Sequence, residues 1–177
     1  MGRGNIFLVG MMGSGKTTLG RVLAHRMGLE FVDTDRILVE RTGVPVATLF
    51  ELEGEDSFRR RESELLDELA RGDGRVIATG GGAVLAPRNR EVMRARGTVI
   101  YLCARLESLW QRTRHDTSRP LLATSDPRGT LRQLLEKRDP LYREAAHMIF
   151  DTGSQSVMTL AGRVASALAK RSAGTSA

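Results

Sequence analysis

Residues 10–17 carry the pattern that most directly indicates chemistry. The segment Gly10-Met-Met-Gly-Ser-Gly-Lys-Thr17 places glycines, a lysine and a hydroxyl at the spacing G-x-x-x-x-G-K-[ST]. The glycines let the backbone wrap around phosphate oxygens and aim N–H groups at them, and a following helix adds its positive end. Lys16 would place its charge between the β- and γ-phosphates, and the Thr17 hydroxyl would bind Mg²⁺. The pattern predicts a nucleotide site with these phosphate contacts: Gly13, Ser14, Gly15, Lys16, Thr17 and Thr18.

Two acidic residues follow the second predicted strand. Asp33 and Asp35 stand two positions apart at the carboxyl end of that strand, which is predicted over 30–32. One carboxylate in such a place can hold metal-bound water, and the other can take a proton from an attacking hydroxyl. The competing explanation is a helix N-cap, for which Asp33 or Thr34 alone would suffice. The presence of both acids favours a functional pair.

Arginines on a predicted helix over 55–71 are candidates for binding an anion. Phe58 and three leucines define the apolar stripe of this helix. At about 100° per residue, Arg60 points away from the stripe, while Arg59 and Arg61 lie on its two borders. Most charged runs are solvated faces, and the spacing does not choose between Arg59 and Arg61.

Arg138 extends the apolar face of a second predicted helix, over 128–138. An arginine on a core face needs an anionic partner. Either a structural acid such as Glu62 or the carboxylate of a ligand would satisfy it. Pro140 predicts that the helix ends here, which would leave the guanidinium at a helix end near a cleft.

A triple glycine and a loop arginine complete the candidates. Gly80-Gly-Gly82 follows the third predicted strand, and so many glycines are costly in ordered backbone. They indicate a place where another group approaches the main chain. Arg119 lies in a polar loop and would be able to neutralise charge over the phosphates during transfer, although it is equally explained as a solvated loop arginine.

These candidates are distributed along a chain in which strands and helices alternate. Strands are predicted over 5–9, 30–32, 75–78, 98–103 and 147–151. Helices are predicted over 16–27, 34–42, 45–53, 55–71, 87–95, 105–113, 128–138 and 156–170. The alternation predicts an α/β fold, a parallel sheet covered by helices on both faces, with functional loops at the carboxyl ends of the strands.

Composition and charge limit the remaining possibilities. The chain has 177 residues, 41% of them hydrophobic, which is typical of one globular domain. The formal net charge of +6 comes almost entirely from arginine, but the basic residues are dispersed and not interleaved with aromatics. This argues against a nucleic-acid surface. No apolar stretch approaches about 18 residues, and the chain starts in a strand pattern without a signal peptide, which predicts a cytoplasmic protein and no membrane partner.

In combination, the segments resemble shikimate kinases, a family of P-loop proteins related to nucleoside monophosphate kinases. The matching segments are Gly10–Thr18, Asp33-Thr-Asp35, Phe58-Arg-Arg-Arg-Glu62, Thr79-Gly-Gly-Gly-Ala83, Arg119-Pro-Leu-Leu122 and Arg138-Asp-Pro-Leu-Tyr142. The resemblance runs over nearly the whole chain. It implies transfer of the ATP γ-phosphoryl group to the 3-hydroxyl of shikimate, in aromatic amino-acid biosynthesis. It also implies a five-stranded parallel sheet of order 2-3-1-4-5, with a lid and a substrate-binding helical insertion.

The resemblance further implies roles for the acceptor-binding residues. Arg59, rather than Arg61, would join Arg138 in holding the substrate carboxylate, with Glu62 orienting both arginines. Asp35 would bind the ring hydroxyls and help to deprotonate the nucleophile. The backbone of the glycine segment would face the substrate, at Gly80 and Gly81.

On the nucleotide side, the resemblance implies Lys16, Asp35 and Arg119 as the catalytic residues, with Arg119 on the phosphates. Arg112 would stack on adenine, and the loop near Gln155 would close the other side of the base. Mg²⁺ would be bound directly by Thr17 and through water by Asp33.

Two features depart from the family pattern. The family usually has serine after the loop lysine, and this chain has Thr17, which keeps the hydroxyl. The adenine loop, Thr152-Gly-Ser-Gln-Ser156, lacks the proline or basic residues that some members carry.

The expected organisation is a single P-loop kinase domain over 1–177. It has a substrate-binding helical region at about 34–62, a lid at about 113–125 and a frayed tail at 172–177. The expected partners are ATP and a small carboxylated polyol, and the expected state is a monomer. The alternatives are a kinase for another small polyol acid and a non-catalytic nucleotide-binding module.

Overall fold

The computed structural model describes residues 4–174, and its centre is one five-stranded parallel sheet of order β2-β3-β1-β4-β5. The strands are β1 (Asn5–Val9), β2 (Glu30–Asp33), β3 (Arg75–Ala78), β4 (Gly97–Cys103) and β5 (Met148–Asp151). The helices are α1 (Lys16–Met27), α2 (Thr34–Thr42), α3 (Val46–Ala70), α4 (Pro87–Arg96), α5 (Leu106–Thr113), α6 (Pro127–Ala145) and α7 (Val157–Gly174). Short 3₁₀ turns lie at Ala83–Leu85 and Pro120–Leu122. The predicted α/β class and strand order are confirmed.

Helices cover both faces of the sheet, which explains why β1 is apolar from Ile6 to Val9. Phe7 and Val9 point into a core built with α3, α4, α5 and α6. Ile6 and Leu8 point to the opposite face, where α1 and α7 pack. Side chains alternate between the two faces of a strand, so a strand covered on both sides is apolar on both faces.

The register of the strands aligns the loops that carry the candidate residues. Leu8 of β1 and Asp33 of β2 both lie opposite Ala78 of β3. Because the three strands end at one level, the phosphate loop, the two acids and the glycine segment emerge side by side at one edge of the sheet.

The two helices predicted over 45–53 and 55–71 form the single helix α3, which is interrupted at Gly54. This residue has φ 78° and ψ 169°, a backbone conformation that only glycine adopts without strain. The predicted boundary is therefore a kink rather than a loop. It separates a short arm beside the site from a longer segment that packs on the sheet.

The prediction that Pro140 ends the helix carrying Arg138 was wrong. Helix α6 continues through Pro140 to Ala145. A proline inside a helix costs about 3 kcal/mol, because it removes a hydrogen bond and crowds the preceding turn. Tyr142 and Ala145 follow Arg138 on the same face and are completely buried, which offsets that cost. Arg138 is consequently inside a helix and not at its end.

The predicted frayed tail is helical where the structure describes it. Helix α7 runs beyond its predicted end at 170 to Gly174, and the Ser172 hydroxyl donates a hydrogen bond to the carbonyl of Leu168. Residues 175–177 of the predicted tail lie outside the described residues. Within 4–174, no helix is long and apolar enough to cross a bilayer.

Candidate active site

The phosphate loop connects β1 to α1, as the pattern predicts. Gly13 and Gly15 have φ 79° and 97°, which turns the loop tightly around the start of α1. The Lys16 ammonium donates hydrogen bonds to the carbonyls of Gly10 and Met11, at 2.7 and 2.9 Å. These contacts hold the lysine against the loop, with its charge facing the space above the helix N-terminus.

The environment of Lys16 disfavours its charge when no anion is bound. Burial lowers its pKa to about 8, Asp35 opposes this shift, and Arg119 adds to it. A nearby anion restores the charged form of a buried lysine. The charge of Lys16 and the helix N-terminus beneath it therefore both favour binding of an anion in this loop.

Asp33 caps a helix and also contacts the phosphate loop. Its Oδ1 accepts the backbone N–H groups of Asp35 and Arg36 at 3.0 and 3.3 Å, which caps α2. Its Oδ2 accepts the Thr17 hydroxyl at 2.8 Å. The hydroxyl proton of Thr17 is thus directed at Asp33, which leaves an oxygen lone pair of Thr17 available to a cation. The helix cap and a hydroxyl–carboxylate pair coexist in one residue.

Asp35 lies in the first turn of α2 and is half-buried. Burial raises the pKa of its carboxyl group, the charge of Asp33 raises it further, and Lys16, Arg119 and Arg59 oppose the shift. A carboxylate whose pKa is raised is better suited to accept a proton than an ordinary aspartate. Asp35 Oδ1 also lies beside Gly80, since a Cβ added at that glycine would be 3.1 Å from it.

The structure separates the two arginines that spacing left equivalent. Arg61 points outward and pairs with Glu53 through two hydrogen bonds of 2.8 Å. Arg59 points inward, and its Nη1 donates to Glu62 Oε2 at 2.9 Å. Its guanidinium also lies 5.3 Å from the centre of the Phe58 ring. Arg59 is therefore the arginine that faces the interior.

Glu62 is almost completely buried, at 1% exposure, and its second oxygen Oε1 has no hydrogen-bond partner in the protein. Burial raises the pKa of this carboxyl group, and Arg59 opposes the shift. Arg138 is equally buried, at 2% exposure, but forms no ion pair with any carboxylate within 4–174, and its Nε lacks a partner. The structural acid suggested for Arg138 thus pairs with Arg59 instead.

The three glycines of the segment after β3 make room for different neighbours. A side chain at Gly80 would collide with the Glu62 carboxylate, and one at Gly82 would collide with the guanidinium of Arg59. Gly81 lies between the phosphate loop and Arg138. A Cβ on Gly81 would be 3.4 Å from the Met12 nitrogen and 3.5 Å from Arg138 Nη1, which is close to van der Waals contact. The sequence indicated a close approach to this backbone. It did not identify Gly82 as a contact of Arg59, because the approaching group is a protein side chain distant in sequence.

Two adjoining cavities bring most of the candidates together. One, of about 280 Å³, lies over the phosphate loop and contains Lys16, Thr18 and Arg112. The other, of about 710 Å³, contains Arg59 and Arg138. The residues that line both cavities mark the boundary between them: Met12, Thr17, Asp33, Asp35, Gly81 and Arg119.

Arg112 and Gln155 are not brought into one cavity. The Arg112 Nη1 donates to the carbonyl of Gly13 at 3.0 Å, at the rim of the phosphate cavity. Gln155 lines a separate cavity of about 600 Å³, where it bonds to the Asp151 carbonyl and Arg163. Their predicted contacts with adenine stay predictions.

A phosphate cavity that opens onto a pocket lined by a carboxylate with a raised pKa, a buried arginine and a half-buried arginine defines a class of enzyme, the P-loop kinases that phosphorylate small molecules with ATP. The model of the shikimate kinase family matches residues 12–169. The chain belongs to the shikimate kinase family.

Individual relatives and solved structures agree with this assignment. A shikimate kinase of Nitrosospira multiformis is 55% identical over 165 residues, which covers 93% of this chain and 85% of that protein. The structure of the shikimate kinase from Acinetobacter baumannii in complex with shikimate is 44% identical, with a TM-score of 0.93, and covers 96% of this chain and 94% of that one. A gluconokinase from Sinorhizobium meliloti, 22% identical with a TM-score of 0.58, covers 96% of this chain and 97% of that one and shares the fold alone.

Proposed function

We propose that the chain transfers the γ-phosphoryl group of ATP to the 3-hydroxyl of shikimate, giving shikimate 3-phosphate and ADP in aromatic amino-acid biosynthesis. The observation that carries this proposal is the junction of the two cavities. There Asp35 stands between the phosphate loop and a pocket whose only buried cation without an ionic partner, within 4–174, is Arg138. The relative from Acinetobacter baumannii, which was solved with shikimate, supports the same acceptor.

In the proposed reaction, the 3-hydroxyl oxygen attacks the γ-phosphorus, and the bond from that phosphorus to the β–γ bridging oxygen breaks. The hydroxyl proton passes to Asp35, and ADP leaves. Arg59 and Arg138 hold the acceptor carboxylate, while the backbone at Gly80 and Gly81 borders the ring. Holding both reactants in line provides much of the acceleration, because the protein contributes little covalent chemistry.

On the donor side, Lys16 and Arg119 spread the charge of the transferred group. Arg119 lines both cavities, and its Nε donates to Asp116 at 2.9 Å, which leaves its terminal nitrogens for the phosphates. Closure of the proposed lid over 113–125 would exclude water and so limit hydrolysis of ATP. In this proposed function the chain acts as one domain, in which 34–62 would form the acceptor-binding region.

Mg²⁺ fits the donor set at the head of the phosphate cavity. The ion prefers one or two protein oxygens together with water and phosphate oxygens, and 4–174 contain no cluster of three or more acidic, histidine or cysteine ligands. Thr17 Oγ1 would bind it directly and Asp33 through water, as their 2.8 Å hydrogen bond prepares them to do. The bound ion would neutralise charge on the β- and γ-phosphates.

A coupled ADP-release assay over a panel of acids and polyols tests the proposed function. ADP should appear with shikimate, and gluconate and acceptor-free reactions should give little. No shikimate-dependent ADP release would refute the proposal, and salt-dependent DNA binding in its place would favour a nucleic-acid-binding module. The monomeric state and the cytoplasmic location stay predictions.

Replacing Thr17 by valine is expected to raise the Mg²⁺ concentration needed for half-maximal rate by at least roughly tenfold, because a ligand oxygen is lost at nearly constant volume. Thr17→Ser keeps the hydroxyl and should behave like the wild type. Titrating Mg²⁺ at fixed ATP measures both variants. Equal Mg²⁺ dependence in Thr17→Val and the wild type would show that Thr17 is not a ligand of the metal ion.

Replacing Gly82 by alanine is expected to lower kcat/KM for shikimate by roughly tenfold or more, because the new methyl group displaces the Arg59 guanidinium. The matched control is Gly162→Ala on α7, where a Cβ has only ordinary contacts with Arg26 at 3.6 Å and beyond. Steady-state kinetics with each substrate varied should show a selective effect of Gly82→Ala on shikimate. An effect on ATP alone would contradict the placement of Arg59.

A further inference from the structure

Tyr142 connects the two substrate loops and has no role in the chemistry described above. It lies on α6 one turn after Arg138 and is completely buried. Its hydroxyl donates a hydrogen bond to the carbonyl of Gly81 at 2.5 Å and lies 3.5 Å from the sulfur of Met11 in the phosphate loop. One hydroxyl thus contacts both the segment that borders the acceptor and the loop that binds the donor.

The hydroxyl is a permanent hydrogen-bond donor in this position. Burial raises the pKa of Tyr142 to about 12, so the group stays protonated at physiological pH. Its aromatic ring stacks on Tyr101, with ring centres 4.9 Å apart and planes inclined by 30°. A stacked, buried ring has little rotational freedom. The Tyr142 oxygen therefore keeps a constant position from which it hydrogen-bonds the Gly81 carbonyl.

The peptide that Tyr142 hydrogen-bonds, at Gly81, lies where the two cavities meet. Gly81 lines both cavities, and a Cβ on it would be 3.4 Å from the Met12 nitrogen and 3.5 Å from Arg138 Nη1. The same peptide leads into Gly82, on which the Arg59 guanidinium packs. The orientation of the Gly81 carbonyl therefore sets the distance of the glycine segment from the phosphate loop and from both arginines.

We infer that Tyr142 is a positioning residue for phosphoryl transfer, which fixes the glycine segment relative to the phosphate loop so that the acceptor hydroxyl lies in line with the γ-phosphorus. The inference rests on the proposed function, since it specifies how the acceptor is aligned. It also accounts for the continuation of α6 through Pro140, because a helix that ended there would not present Tyr142 one turn after Arg138.

The test compares Tyr142→Phe with Tyr101→Phe. Both variants remove the hydroxyl of a buried tyrosine in the same ring stack, but the Tyr101 hydroxyl donates to Asp139 at 2.7 Å and does not contact the substrate loops. Tyr142→Phe should lower kcat about tenfold, with a smaller rise in the shikimate KM and an unchanged Kd for ATP, because misalignment acts on the transition state more than on ground-state binding. Tyr101→Phe should stay within twofold of the wild type in kcat.

Thermal unfolding of both variants separates alignment from general stability. Similar losses in Tm with a fall in kcat only for Tyr142→Phe would support the inference. Equal kcat values for the two variants, or a change confined to Tm, would overturn it. A wild-type protein that releases no ADP with shikimate would refute the proposed function itself, whereas an active wild type with an equally active Tyr142→Phe variant would refute the positioning role alone.

Discussion

Replacing Asp35 by asparagine is expected to lower kcat by roughly 10²- to 10⁴-fold, the usual contribution of a general base, while ATP still binds. The amide keeps the size of the side chain and its ability to hydrogen-bond a hydroxyl. It cannot take the proton that the acceptor loses. Single-turnover ADP formation measures the chemical step, and isothermal titration with a non-hydrolysable ATP analogue measures the retained binding.

The pH dependence of Asp35→Asn provides a second test. Burial, followed by the charge of Asp33, raises the pKa of Asp35, and Lys16 opposes the shift. Only the ionised carboxylate accepts a proton, so the wild-type rate should fall as the pH drops through a pKa above the roughly 3.9 of an ordinary aspartate. The residual rate of the variant should lack this acid limb.

Stability should not explain the loss of activity. Because burial raises the pKa of Asp35 in the folded state, folding disfavours its charge, and stability falls as the pH rises from the unfolded pKa through the folded one. Asp35→Asn should therefore unfold at the same or a higher temperature at neutral pH. The control is Asp126→Asn, which alters the N-cap of α6 away from both cavities and should leave kcat unchanged. A near-wild-type rate in Asp35→Asn would show that Asp35 is not the general base and is only a residue in the first turn of α2.

The parts of this site that the sequence predicts are those encoded in short segments. The phosphate loop needs only a strand, a few glycines and a helix start, and all of its determinants lie within 5–17. Asp33 follows the same rule, since the helix it caps and the strand it ends are its sequence neighbours. Their positions at one edge of the sheet follow from the parallel topology.

The parts that the sequence did not predict depend on contacts between distant segments. Whether Arg59 or Arg61 faces inward depends on Glu62 and Glu53 and on how α3 sits on the sheet. The passage of α6 through Pro140 depends on buried contacts of Tyr142 with Met11 and Gly81, more than 60 positions away. Local preference disfavours the helix there, and tertiary packing overrides that preference.

Three ionisable groups of the candidate site share one electrostatic property. Lys16, Asp35 and Glu62 all have pKa values shifted by burial toward the neutral form. Each shift means that the protein interior disfavours the charged form of the group. The phosphates of ATP would favour the charged form of Lys16. The carboxylate of shikimate would give Arg138 the ionic partner that it lacks within 4–174.

Replacing Arg138 by methionine is expected to raise the KM for shikimate by roughly 10- to 100-fold, because a hydrogen bond to a charged group contributes about 1.5–3 kcal/mol. The Kd for ATP should not change. Because Arg138 has no ionic partner within 4–174, its replacement should leave the free energy of unfolding unchanged or raise it. Steady-state kinetics with shikimate varied, calorimetric titration with an ATP analogue, and urea unfolding measure the three quantities.

Arg59→Met is the matched comparison, because it removes the second arginine proposed to hold the carboxylate. It should weaken shikimate binding to a similar degree, but it also deprives the buried Glu62 of its 2.9 Å partner. Breaking such a pair costs about 3 kcal/mol, so Arg59→Met should be the less stable variant. Destabilisation by Arg138→Met with unchanged shikimate binding would instead make Arg138 a structural cation. We expect Arg138→Met to lose shikimate binding alone and Arg59→Met to lose both shikimate binding and stability. That result would mean that the protein itself supplies the ionic partner of Arg59, whereas the substrate supplies that of Arg138.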